Sequence, residues 1–191
     1  MRTVGCAAVI FLSACGQPDV TNTIDAAAME HPKSRWTYGL SEDKMRGTGS
    51  YWAELVSSNQ PELEFPYAGG SPITLQLVKN RGDTSPDNYA PKLVLAKGQF
   101  DCHTDNNSCY ISIKSDNLPV EDIYAVSSDC GSDRCLTLYN DAAGKKADIS
   151  FISTIRAAKH MIIEVPLYRF GVYQYEFDVQ DLQWSKETNR Q

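Results

Sequence analysis

The chain has 191 residues, of which 42% are apolar and 10% aromatic, and a formal net charge of −6. That length and composition suit one globular domain with a real core and at most a small appendage. The acidic balance argues against nucleic acid as a partner, because phosphate binding needs a concentrated basic surface.

Arg2 is the only charge ahead of an apolar run from Val4 to Leu12. A positive start, a short apolar stretch and small residues at a cut site describe a secretory signal. The run is far shorter than the roughly 20 apolar residues that span a bilayer. It ends in Leu12-Ser13-Ala14-Cys15, which resembles the lipobox of bacterial lipoproteins. The resemblance implies that residues 1–14 are a lipoprotein signal peptide. Cys15 then becomes the N-terminus and carries a thioether-linked diacylglycerol and an N-acyl chain. One acyl chain binds a membrane only marginally, whereas several hold it stably. Gly16 rather than Asp follows the cysteine, which in such lipoproteins implies sorting to the outer membrane, facing the periplasm. The alternative is an ordinary secretory signal cut after Ala14.

Residues 15–34 are small, polar and proline-containing, as a flexible tether between lipid and domain would be. A nascent helical turn over residues 24–29 is too short to stand alone, and His31 is read as solvated. The folded domain is expected over residues 35–185, with a polar tail over 186–191.

The domain opens with a short strand at residues 35–38, followed by a turn or cap at Ser41-Glu42-Asp43. Residues 51–57 form the next strand. Residues 63–67, broken by Pro61 and Pro66, suit an edge strand or an irregular crossing. Residues 68–72, Ala-Gly-Gly-Ser-Pro, signal a turn. Ile73, Leu75 and Leu77 alternate with Thr74 and Gln76, the period of a half-buried strand. The polar loop 80–91 contains Arg81-Gly82-Asp83, read as a turn with Gly at a conformationally demanding position rather than as an adhesion motif. A strand over 93–100 carries a bulge or bend at Lys97-Gly98.

Of the six cysteines, Cys6 leaves with the signal and Cys15 is the lipid site. Cys102, Cys109, Cys130 and Cys135 remain, which in an exported chain suggests two disulfides in any of three connectivities. Their spacing favours the local pairs Cys102–Cys109 and Cys130–Cys135, each clipping a turn between two strands. Crossed pairing stays open. A zinc site built from these thiols, or from three of them with His103, is disfavoured by the wide spacing and the oxidising compartment.

The return strand from Cys109 covers residues 110–114, a turn follows at Asn117-Leu118-Pro119, and further short strands are expected at 123–127 and 136–139. A strand begins at 148–151. One helix is expected over 153–160, with Phe151, Ile155 and Ala158 at helical spacing. An apolar strand at 161–165, a turn at 168–171 and a strand at 172–179 follow. Tyr173, Tyr175, Phe177 and Val179 should share one face of that last strand. Short strands punctuated by turn residues predict an all-β, disulfide-bearing antiparallel β-sandwich with one short helix.

The domain also resembles a group of uncharacterised exported lipoproteins and periplasmic β-domain proteins of Proteobacteria. The residues that carry the resemblance begin with Trp36, Glu42-Asp43-x-Met45, Ser58-Asn59 and Phe65-Pro66-Tyr67-x-Gly69-Gly70. Leu75-x-Leu77, Gly98-Gln99-Phe100-x-Cys102, Cys109, Phe177-Asp178-Val179 and Leu182-x-Trp184 complete them. Cys130 and Cys135 depart from that pattern. These are packing and turn residues, so the resemblance implies a fold and brings no catalytic residues with it.

Hydrolytic chemistry needs a nucleophile, a base and an orienting group in contact. The three histidines sit in the tether, in a disulfide loop and, as His160, at a helix end, and neither a G-x-S-x-G nor an H-E-x-x-H motif occurs. The acid pairs Glu42-Asp43 and Glu121-Asp122 are adjacent, as turn and cap residues are. Asp101, Asp105 and Asp116 lack the spacing of a calcium loop. No catalytic residue, metal or cofactor is expected. The adjacent Tyr51 and Trp52 point to opposite faces of a strand, so they are the candidate binding surface among many aromatics. The reading is a lipid-anchored binding module with an envelope protein or polymer as partner. The alternatives are an inhibitor or exclusion factor with a rigid disulfide loop, and an envelope hydrolase.

Overall fold

The computed structural model describes residues 35–81, 91–102, 108–127, 132–139 and 149–183. Eleven strands and one helix lie in this part of the chain. In chain order they are β1 (Thr37–Asp43), β2 (Thr48–Val56), β3 (Glu62–Leu63), β4 (Gly69–Gly70), β5 (Ile73–Asn80) and β6 (Lys92–Leu95). Then come β7 (Ser108–Ser115), β8 (Glu121–Val126), β9 (Cys135–Tyr139), α1 (Ile149–Ala157), β10 (His160–Leu167) and β11 (Gly171–Asp178). The fold is all-β and antiparallel with a single helix, as the strand spacing predicts.

Nine strands form one sheet in the order β1-β2-β5-β6-β9-β8-β7-β10-β11. β7, β8 and β9 are a meander. β6 lies beside β9 and β10 beside β7, so the meander is shared by two Greek keys. This corrects one expectation. Cys102 and Cys109 do bond to each other, but β9 and β8 stand between β6 and β7. The disulfide therefore closes a crossover and not a hairpin. Local spacing foretold the bond because seven residues apart is close in any compact connection. It could not foretell which strand fills the space between.

Alternation drives the packing. Leu55, Leu75, Leu93, Leu138, Ile111, Ile163, Tyr175 and Phe177 come from strands across the sheet and are all buried in one cluster. A single sheet whose two halves share one core must fold over on itself, which gives the molecule its sandwich-like layering. The two ends of the sheet meet. The Trp36 indole, 5% exposed, donates from Nε1 to Val179 O at 3.1 Å. Ser58 N donates to Glu176 O at 2.7 Å. The Asn59 side chain accepts from Glu176 N at 2.8 Å and donates to Gln174 O at 3.0 Å. The free edge of β11 is thus satisfied by residues 58 and 59, which blunts an edge that would otherwise invite association.

The helix differs from its predicted span. Helix α1 covers Ile149–Ala157, so residues 149–151 of the strand expected at 148–151 are helical instead, and His160 opens β10 instead of ending a helix. Phe151, Ile155 and Ala158 are buried on one helical face. The stop comes from outside the segment. Ala158 N still bonds Thr154 O at 3.0 Å, but the next two amides, Lys159 N and His160 N, donate to the Asp116 carboxylate at 3.0 and 2.9 Å. Asp116 itself takes a positive φ of 44°, a conformation Asp tolerates better than most residues. Strand β1 is also longer than predicted. Ser41, Glu42 and Asp43 belong to it, and Asp43 caps the turn that follows by accepting from Met45 N and Arg46 N.

Candidate functional site

Three connections far apart in sequence meet beside one end of the sheet. The first leaves β3 and returns through β4, and its turn is closed by Tyr67 N donating to Glu64 O at 2.9 Å. The Phe65–Pro66 peptide in this turn is cis. The second is the chain after β6. Gly98 bends it with a φ of +84°, and a Cβ there would lie 3.1 Å from Leu63 Cδ1, so glycine suits both the conformation and the space. The third is the turn between β10 and β11, where Phe170 N donates to Leu167 O and Tyr168 N donates to Gln99 O.

One serine ties these pieces together. Ser71 is fully buried. Its hydroxyl donates to Lys97 O at 2.7 Å and accepts from Lys97 N at 3.0 Å. Its amide donates to Pro61 O, and its carbonyl accepts from the Tyr175 hydroxyl at 3.1 Å. Burial first, and then the neighbouring Tyr173 phenol, hold the Tyr175 hydroxyl above the ordinary tyrosine range, so it stays a donor. The two chain segments and β11 are pinned at a buried point where water cannot substitute for a lost partner.

Between the three connections lies a groove of about 750 Å³, within the usual size of a ligand site. Leu63, Pro66, Leu167 and the rings of Phe65, Tyr67, Tyr168 and Phe170 line it. Phe65 is 91% exposed at the lip, and Tyr168 and Phe170 are 38% and 40% exposed. Phe170 meets Tyr173 edge to face at 6.0 Å, and Tyr173 meets Tyr175 at 4.9 Å. A ladder of rings therefore runs from the lip to the buried Ser71 contact.

The charged groups of the groove are Glu64, Lys97 and Arg169. Lys97 Nζ donates to Ala68 O at 3.2 Å. The Arg169 guanidinium stands 5.3 Å over the Tyr168 ring, within the range of a cation–π contact. Arg169 holds a φ of +62°, uncommon outside glycine and found at sites that store strain. Neither cation makes an ion pair among the described residues. Apolar contact and attraction for an anion are what these side chains can supply.

The predicted surface residues lie elsewhere. Tyr51 and Trp52 do point to opposite faces of β2. Tyr51 turns inward, half-buried against the core. Trp52 lies outward over Gly39 of β1, where a Cβ would collide with its ring. Cys135 is disulfide-bonded. Cys15, His103, Cys130 and Trp184 lie outside the described residues. Arg81 pairs with Glu42 at 3.2 Å, while Gly82 and Asp83 are outside the described residues. Glu121 and Asp122 open β8, and Asp122 accepts from Ser112 Oγ at 2.8 Å. Among the described residues, no three His, Cys, Asp or Glu side chains converge as a metal site. No described helix is long and apolar enough to cross a membrane.

Sequence reasoning passed over Phe65, Lys97, Tyr168, Arg169 and Phe170 because each sits in a stretch read as a turn, bend or irregular crossing. The signal was present in their type. Turns are usually polar, so large rings at Phe65, Tyr168 and Phe170 ask for a surface role. Compared with known proteins, no family model, no curated protein and no solved structure matches this chain.

Proposed function

We propose that this protein is a lipid-anchored binding module of the bacterial envelope, held at the outer membrane through Cys15 and facing the periplasm. The groove beside the β10–β11 turn is its recognition surface, and a protein or polymer of the envelope is its partner. The observation that carries this reading is the Phe65 ring, 91% exposed at the lip of an aromatic groove. A ring left in water on a cross-braced frame gains about 25 cal/mol for each Å² of apolar area a partner covers. Rigid aromatic side chains of this kind are the usual anchors of interfaces. The anchoring part rests on the Leu12-Ser13-Ala14-Cys15 motif and on the strength of multiple acyl chains.

The test is a photo-crosslinking amino acid placed at position 65 of the protein in cells, in the native background and with Cys15→Ala. One defined envelope partner should be trapped from position 65 and far less from an outward position such as Val56. The Cys15→Ala form should leave the membrane fraction. Equal trapping from both positions, or none from either, would remove the groove as the recognition surface.

A further inference from the structure

We propose that the groove takes a short acidic peptide segment of its partner, with apolar side chains against the rings and a carboxylate between Lys97 and Arg169. The inference rests on the reading of the groove as the recognition surface and goes on to name the chemistry of the occupant.

Charge complementarity is the first argument. The chain as a whole carries −6, yet the groove holds two cations, Lys97 and Arg169, against one acid, Glu64. A locally positive cleft on a negative protein selects for anions. The Arg169 guanidinium stands 5.3 Å over the Tyr168 ring, and a planar guanidinium matches a carboxylate with two parallel hydrogen bonds. The left-handed backbone of Arg169 is a conformation that an ordinary surface turn would give to glycine or asparagine. Arg169 is solvent-exposed and lines the groove, where a charged ligand can reach it.

The second argument separates a peptide from a sugar chain. Tyr67, Gln99 and Tyr168 of the lining can hydrogen-bond, but Leu63, Phe65, Pro66, Leu167 and Phe170 offer hydrocarbon and no hydrogen bond from their side chains. Sugar hydroxyls pressed against them would lose water without gaining partners, a substantial cost. Leucine- or phenylalanine-like side chains incur no such loss. Peptide recognition in aromatic-lined grooves is a known use of this kind of surface.

The experiment pans a random dodecapeptide library on the purified full-length protein in detergent micelles, with an oligogalacturonate as the acidic sugar probe. The enriched peptides should place Asp or Glu beside Leu or Phe. Their affinity should fall about five- to tenfold in Lys97→Gln/Arg169→Gln, by about tenfold in Phe65→Ala, and with rising salt. Because Lys97 also braces Ala68, Arg169→Glu alone serves as the second variant. It should weaken binding at an unchanged unfolding midpoint. Neutral or basic consensus peptides, affinity indifferent to Arg169, no enrichment, or preference for the oligogalacturonate would each overturn the proposal. If position 65 still traps a partner in cells, the groove stands as a recognition surface and only the acidic-peptide chemistry is lost. If it traps none, the groove reading is lost as well.

Discussion

Ser71, itself fully buried, makes four hydrogen bonds to three residues, two of them through its hydroxyl to Lys97, so that hydroxyl helps set how firmly the groove is framed. In Ser71→Ala, the Lys97 amide and carbonyl lose their shared partner, and a buried unpaired amide costs about 1–3 kcal/mol. The expected outcome is a lower denaturant midpoint together with weaker binding in the groove. Unchanged stability would mean that the loop does not need this brace. Asp116 acts differently, because its two amide partners make the carboxylate worth more ionised. Hydrogen bonds from Lys159 N and then His160 N hold its carboxyl below the usual carboxylate value of 3.8. Since the folded-state value is depressed, the stabilisation is present above the unfolded-state value and disappears as pH falls through the folded one. Denaturant midpoints from neutral pH into acid should therefore show the advantage of the native protein over Asp116→Asn shrinking below about pH 3.8. A constant advantage down to the lowest pH would assign the role to geometry and not to charge.

At the scale of elements, β11 is one of the two edge strands of the sheet, and Asn59 together with Ser58 covers its edge. The side-chain amide of Asn59 both accepts and donates to β11, as a neighbouring strand would. Asn59→Ala should cost about 1–2 kcal/mol for the two lost bonds. It should also raise concentration-dependent association, read by light scattering, because the edge is open again. Monomeric behaviour at all concentrations would show that Ser58 alone protects the edge. Helix α1 teaches a related point. Its face was legible from Phe151, Ile155 and Ala158, but its boundary depends on Asp116, more than forty residues earlier by the 43- and 44-residue separations of its contacts.

For the whole molecule, Trp36 bridges the first and last parts of the domain. Its ring is in the core and its indole bonds Val179 O. Trp36→Ala should cost about 3–5 kcal/mol through lost packing, whereas Trp36→Phe keeps most of the ring and should lose about 1–2 kcal/mol. The two unfolding midpoints should fall in that order. Equal losses would show that the hydrogen bond, not the packing, joins the ends of the sheet. The groove's walls come from residues 63–67, 97–99 and 167–170.

The sequence by itself determined the all-β class, the inward faces of β5 and β11 and the turns at Gly98 and at residues 168–171, and it favoured without deciding the Cys102–Cys109 bond. These follow from alternation and from residue chemistry over a few positions, where the chain's own geometry leaves little choice. Tertiary structure decided the strand order, the crossover that the disulfide closes, the end of α1 and the groove. Alternation says which side chains face inward but not which strand lies next to which, because several strands, β5, β7, β10 and β11 among them, present the same kind of apolar face. Phe65, Lys97 and Arg169 became one surface only when the folded sheet brought the β3–β4 connection, the chain after β6 and the β10–β11 turn together, with Ser71 bonding Lys97 and Pro61.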